Sequence, residues 1–207
     1  MKDPFIKVKY DKLIFELKFL EADLHYHNSI LQKGTGEFDT QCRSAIKDLG
    51  LEDVFYGENS PAEKHATKQA EEKKNTKKPK PSRDAEILFR KIANVTHPDK
   101  LVSLPPEERE IKEEMFMDAK AAKDEDNLLK LHLIAADLNI EVPEVTLDNI
   151  VMFEGKISEI KAEINAKKGT WMWNWLIAPP EKRQAIIADY IAFMIQTIAH
   201  KDSPTTE

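Results

Sequence analysis

The amino-acid sequence predicts an all-α protein, a helical bundle built on coiled-coil-like seams, and three observations carry that reading. Only 6 glycines occur in 207 residues while 33% of the residues are charged, a composition of long solvated helices rather than of sheets joined by tight turns. Hydrophobic residues make up 41%, enough to fill a packed core. Their spacing decides the class: over long stretches they recur in steps of three and four, which places them on one side of an α-helix.

The seams can be followed along the chain. Ile6, Tyr10, Leu13, Leu17, Leu20, Leu24, His27 and Leu31 form the first, with Ile14, Phe15 and Phe19 widening it towards a further neighbour. Gly34-Thr35-Gly36 predicts its end, because glycine disfavours a helix interior. Phe38, Cys42, Ala45 and Leu49 then mark a shorter helix ending near Gly50. This N-terminal helical segment spans residues 1–56. Residues 57–83 are lysine-rich with almost no large apolar side chain, so they cannot bury enough surface to offset chain entropy, and a flexible basic linker is expected.

Leu88, Ile92 and Val95 line the next helix. Pro105-Pro106 suits the start of another, faced by Met115, Phe116, Ala119 and Ala122. Asp126 is placed to cap a third, in which Leu128, Leu131, Ala135 and Leu138 recur, and Pro143 closes that block. The C-terminal helical segment, 143–207, carries a seam of Leu147, Ile150, Phe153, Ile157, Ile160 and Ile164, broken at Gly169. A last helix from about Pro180 has Ile187, Ile191, Met194 and Ile198 in register, and the tail KDSPTTE is expected to fray. The seams at 6–31 and 147–164 suit pairing with each other, or across a homodimer. Pairing within one chain would set residues 84–142 as an insertion between two halves of a helical scaffold.

Several function classes recede on composition. A net charge of -6 argues against a surface built wholly to hold nucleic acid. Cys42 is the only cysteine, which leaves no internal disulfide framework and no paired-cysteine zinc module, and suits a reducing compartment. The start, MKDPFIKVKYDK, has no apolar signal-peptide core, and no run reaches the roughly 18 apolar residues of a membrane span. The expectation is a cytoplasmic protein with no membrane span, cofactor or metal.

The stretch NVTHPDK, residues 94–100, is the one that carries a function. His97-Pro98-Asp99 and Lys100 follow the helix ILFRKIANVT and precede the helix with Phe116, Ala119 and Ala122. On these residues the segment 84–142 resembles a J domain, the module of DnaJ-type co-chaperones. The resemblance implies a non-enzymatic protein that binds a DnaK-type heat-shock chaperone and stimulates its ATPase, with the helical flanks directing it to a protein client. It implies that His97, Pro98 and Asp99, with the basic Arg90, Lys91 and Lys100, touch that partner.

The chemistry of the trio suits such a contact. Proline fixes φ and stiffens the turn, Asp99 offers a carboxylate to a partner arginine, and His97 brings a donor and an acceptor. The sequence also departs from the family. The lysine-rich stretch stands where a first helix with a Tyr-x-x-Leu-Gly-like start is usual, so that helix is missing, unrecognisable or supplied from elsewhere in the chain. Thr96 replaces an aromatic.

Other readings stand beside this one. A second reading of the tripeptide is an interhelical turn; a catalytic His-Asp pair lacks a nucleophile or metal at suitable spacing. The chain would then be a helical adaptor with a vestigial J-like module, or a nucleic-acid-associated factor using the lysine-rich stretch, although its interspersed glutamates and lack of stacking aromatics make nucleic acid an unlikely partner. His27 reads as a seam residue. Trp171, Trp173 and Trp175 read either as anchors of the last helix or as a docking patch for a client or second copy.

Overall fold

In the computed structural model of the chain, residues 4–56, 80–142 and 145–201 are described. Residues 57–79 of the expected linker and 202–207 of the expected frayed tail lie outside them, as does Pro143. The described residues form α-helices and one 3-10 turn, with no strand among them, so the fold is all-α.

The first helix, α1, runs unbroken from Pro4 to Asp48, which corrects the expected stop at Gly34-Thr35-Gly36. Two interior glycines disfavour the helix by about 1 kcal/mol each. The buried Phe38, Cys42 and Ile46 beyond them hold the helix on course. Gly34 has its own reason to be small, because a Cβ there would collide with the Leu176 side chain. The helix ends where Gly50 adopts φ +66°, and the Leu51 N–H donates to Ile46 O at 3.0 Å. That wrapped end leaves Leu49 exposed, not on the buried face. A short α2, Glu52–Tyr56, follows.

Helix α3 spans Arg83–Thr96, and Ser82 caps it by accepting the Ala85 N–H at 3.3 Å. Its buried face is Ala85, Leu88, Ile92 and Thr96; Val95, expected on that face, is exposed. Helix α4, Pro106–Asp124, opens on the paired prolines as the sequence suggests. Helix α5, Leu128–Asp137, is capped by Asn127, whose side chain accepts the Lys130 N–H at 3.0 Å, and not by Asp126. Asp126 instead takes φ +53° in the turn and accepts the Ser82 N–H at 2.8 Å. Helix α6, Leu147–Lys168, starts on a reciprocal cap in which Thr146 and Asn149 each accept the other's N–H. Thr170 caps α7, Trp171–Ile177, and α8 runs Pro180–Lys201.

The chain packs as two compact units, and the division falls inside α1 and α6. The first unit comprises residues 1–21 and 75–160, so the segment 84–142 lies wholly within it, while the expected segments 1–56 and 143–207 are each divided. Its core joins Ala85, Leu88 and Ile92 of α3 to Ala119 and Ala122 of α4 and Leu131, Ile134 and Ala135 of α5. The alanines let the helices approach closely where larger side chains would hold them apart. The start of α1 joins this unit through Tyr10, which meets His132 of α5 and Phe153 of α6, and through ion pairs from Lys9 to Glu154 and Lys18 to Asp137. Here the two long seams do meet within one chain.

The second unit comprises residues 22–74 and 161–207. Phe38, Cys42 and Ile46 of α1 pack with Trp175 of α7 and with Ile187 and Ile191 of α8. Met194 and Ile198, expected in that register, are only half-buried.

Candidate functional site

The site grows out of the junction between α3 and α4. Pro98 disfavours helical geometry at the residue before it, and His97 has accordingly left the helix, with φ -63° and ψ 131°. Pro98 then opens a single 3-10 turn, Pro98–Lys100, closed by the Lys100 N–H on His97 O at 2.8 Å and the Leu101 N–H on Pro98 O at 3.0 Å. Leu101 is fully buried and pins the far side of the turn. Thr96 is buried on the near side, its hydroxyl donating to Ile92 O at 2.8 Å. Thr96 can take this place because its one polar group is satisfied by its own helix.

His97 is held from two directions. Its Nδ1 accepts the Asp99 N–H at 3.3 Å, and the ring stands edge-on to Phe116 of α4, with centroids 5.3 Å apart. In the neutral ring that bond places the proton on Nε2, so the imidazole keeps a donor for a partner. The Asp99 carboxylate is 87% exposed, with one oxygen 3.5 Å from His97 Nδ1. The turn thus presents an acceptor and a donor side by side, positioned by backbone bonds that leave both free to contact another surface.

The three basic residues differ in what they do. Lys100 donates to Asn94 O at 3.0 Å near the carbonyl end of α3, where a cation also suits the helix dipole. Lys91 donates to Glu141 O at 2.9 Å and ties α3 to the segment after α5. Arg90 is exposed, with Glu86 one turn back at 3.5 Å. All three lie on α3 or the turn, but Arg90 is the one not engaged with a backbone carbonyl. Sequence reasoning missed Leu101 and Phe116 as supports of the turn; the apolar letter after a charged tripeptide was the available signal for Leu101.

The tryptophans lie in the second unit. Trp173 and Trp175 are buried, Trp173 stacked on His27 with centroids 4.6 Å apart and Trp175 beneath the Arg183 guanidinium at 4.8 Å. Trp171 is half-buried against Tyr190 and Phe193. Their surface is used inside the unit, and Trp171 alone keeps appreciable exposure for docking. His27 is the buried seam residue the spacing suggested, with Nδ1 2.7 Å from Asp23 O.

A buried polar pair lies away from the turn. Burial pushes the His132 pKa down to about 4, against a smaller opposing pull from Asp84, and pushes that of Tyr10 up. Among the described residues no group of three His, Cys, Asp or Glu stands together to hold a metal ion, and no helix is long and apolar enough to cross a membrane. No protein-family model matches the chain, no curated protein matches its sequence, and no solved structure matches its fold.

Proposed function

We propose that the chain is a non-enzymatic, J-domain-like co-chaperone that recruits a DnaK-type ATPase through the His97-Pro98-Asp99 turn. One observation carries the reading: an exposed Asp99 carboxylate and a half-exposed His97 are locked side by side at a helix junction. A stiff turn loses little conformational freedom when a partner grips it, which favours its use as a contact. Asp99 suits a bidentate arginine on the partner, and Arg90 adds a positive charge that steers an acidic surface towards the turn. The helices beyond the turn would meet the client.

The family's first helix, which the sequence does not show in its usual place, also has a candidate. The start of α1 packs against α5 and α6 in the same unit, so a helix from far upstream supplies a fourth wall. The test is single-turnover ATP hydrolysis by the DnaK-type chaperone from the same cell, with wild type, His97→Gln and Asp99→Asn. Acceleration by wild type alone, with all three equally helical by circular dichroism, is the expected result. No acceleration by wild type would return the tripeptide to turn chemistry and leave a helical adaptor as the better reading.

A further inference from the structure

The buried seam of α1 is not its only apolar stripe. On the opposite side of the helix Val8, Phe15 and Phe19 are 67%, 73% and 68% exposed, and Lys12 occupies the position between Val8 and Phe15. These residues step by four, three and four, the spacing of a two-helix seam. Two phenylalanines one turn apart in water make a contiguous apolar patch of the kind that marks an interaction surface.

The residues outside the described ones, 1–3, 57–79, 143–144 and 202–207, contain one large apolar side chain, Met1. The order of charges along the helix suits a second copy of the chain as its cover. Against a second α1 running antiparallel, Phe19 falls opposite Val8 of the copy and the Lys12 ammonium falls opposite the Phe15 ring, a favourable cation-aromatic pairing. On the flanks Lys9 then faces Glu16 of the copy and Asp11 faces Lys18, each pair occurring twice by symmetry. A parallel pairing sets Lys12 against Lys12 and Asp11 against Glu16, like charges in both places. Lys9 and Lys18 already reach Glu154 and Asp137 of their own chain, so across the seam they would bridge two carboxylates each.

We propose that a second copy of this chain docks antiparallel along α1 through Val8, Lys12, Phe15 and Phe19. This surface is distinct from the buried seam and does not depend on the role of the His-Pro-Asp turn. Sedimentation velocity on the full chain is expected to show a concentration-dependent dimer. Phe15→Lys with Phe19→Lys sets like charges against Lys12 of the copy and should give a monomer of unchanged helicity. Orientation is read by cross-linking in a Cys42→Ser background, which also covers the case in which the lysine variant misfolds. Mixed Val8→Cys and Phe19→Cys chains should join to each other, and neither should join to itself. A wild-type chain monomeric up to about 1 mM, the weak end of specific association, would overturn the proposal. So would a dimer that survives both lysines, or Val8→Cys linking to Val8→Cys as a parallel pair would.

Discussion

The hydroxyl of Tyr10 lies 2.8 Å from Nδ1 of His132, a buried hydrogen bond between residues 122 positions apart. Phe153 stands edge-on to both rings, 5.6 Å from Tyr10 and 5.5 Å from His132. The pair joins α1, α5 and α6 at one point, and each polar group is satisfied by the other.

Removing both partners should therefore cost less than the two separate removals added together. Tyr10→Phe leaves an imidazole nitrogen buried without its hydrogen bond, which typically destabilises by about 1–3 kcal/mol. His132→Leu leaves the tyrosine hydroxyl in the same position. Urea unfolding of the two single variants and the double variant should show the double to be less destabilised than the sum of the singles. Strict additivity would mean that the bond contributes nothing beyond packing.

The same histidine sets a pH dependence. Its ordinary pKa of 6.5 falls to about 4 in the folded chain because burial penalises the charged ring. Below 6.5 the unfolded chain takes up a proton that the folded chain refuses, so stability falls as pH drops from about 6.5 to about 4. Each unit in that window removes about 1.4 kcal/mol, for a total on the order of 3 kcal/mol. Stability measured from pH 7.5 to 4.5, as the difference between wild type and His132→Leu, should narrow on acidification. Parallel curves would show that the ring is already charged or solvated when folded.

How much of this was legible in the sequence depended on range. The seams of α1 and α6 were readable because each repeats over many turns, and repetition averages out local exceptions. So was the start of α4, since Pro105 and Pro106 act within their own few residues. The continuity of α1 through Gly34 was not, because it rests on the burial of Phe38, Cys42 and Ile46 in the folded unit, and the glycine itself answers to Leu176, a side chain met only there. The burial of Thr96 was not legible for a related reason. Its hydroxyl counts as polar in a pattern, but it is spent on Ile92 O and the side chain is fully buried. At the turn, the sequence singled out the exposed His97 and Asp99, whereas the supports Leu101 and Phe116 come from packing.

The two glycines inside α1 should respond in opposite directions to alanine. Replacing a helix-interior glycine normally stabilises by about 1 kcal/mol. Gly36 has open space around the new methyl, so Gly36→Ala should show that gain. At Gly34 the methyl meets the Leu176 side chain, and Gly34→Ala should lose stability unless Leu176 finds another rotamer. Thermal unfolding of both variants decides it, and an equal rise in Tm would mean that Leu176 yields at no cost.

Asp126 combines two demands that separate substitutions can resolve. Its backbone sits at φ +53°, which glycine and asparagine tolerate and alanine resists, while its carboxylate accepts the Ser82 N–H that leads into α3. That hydrogen bond holds the carboxyl pKa below its ordinary 3.8, so the contribution of the ionised group is present at neutral pH and fades only in strong acid. Asp126→Asn keeps both the conformation and an acceptor oxygen, and should lie within about 0.5 kcal/mol of wild type. Asp126→Gly keeps the conformation alone and should lose about 1 kcal/mol with the bond. Asp126→Ala loses both and should be the worst by about a further 1 kcal/mol. Chemical denaturation of the three gives the order directly. If alanine and glycine prove equal, the positive φ is not what the position demands, and the turn between α4 and α5 rests on the Ser82 bond alone.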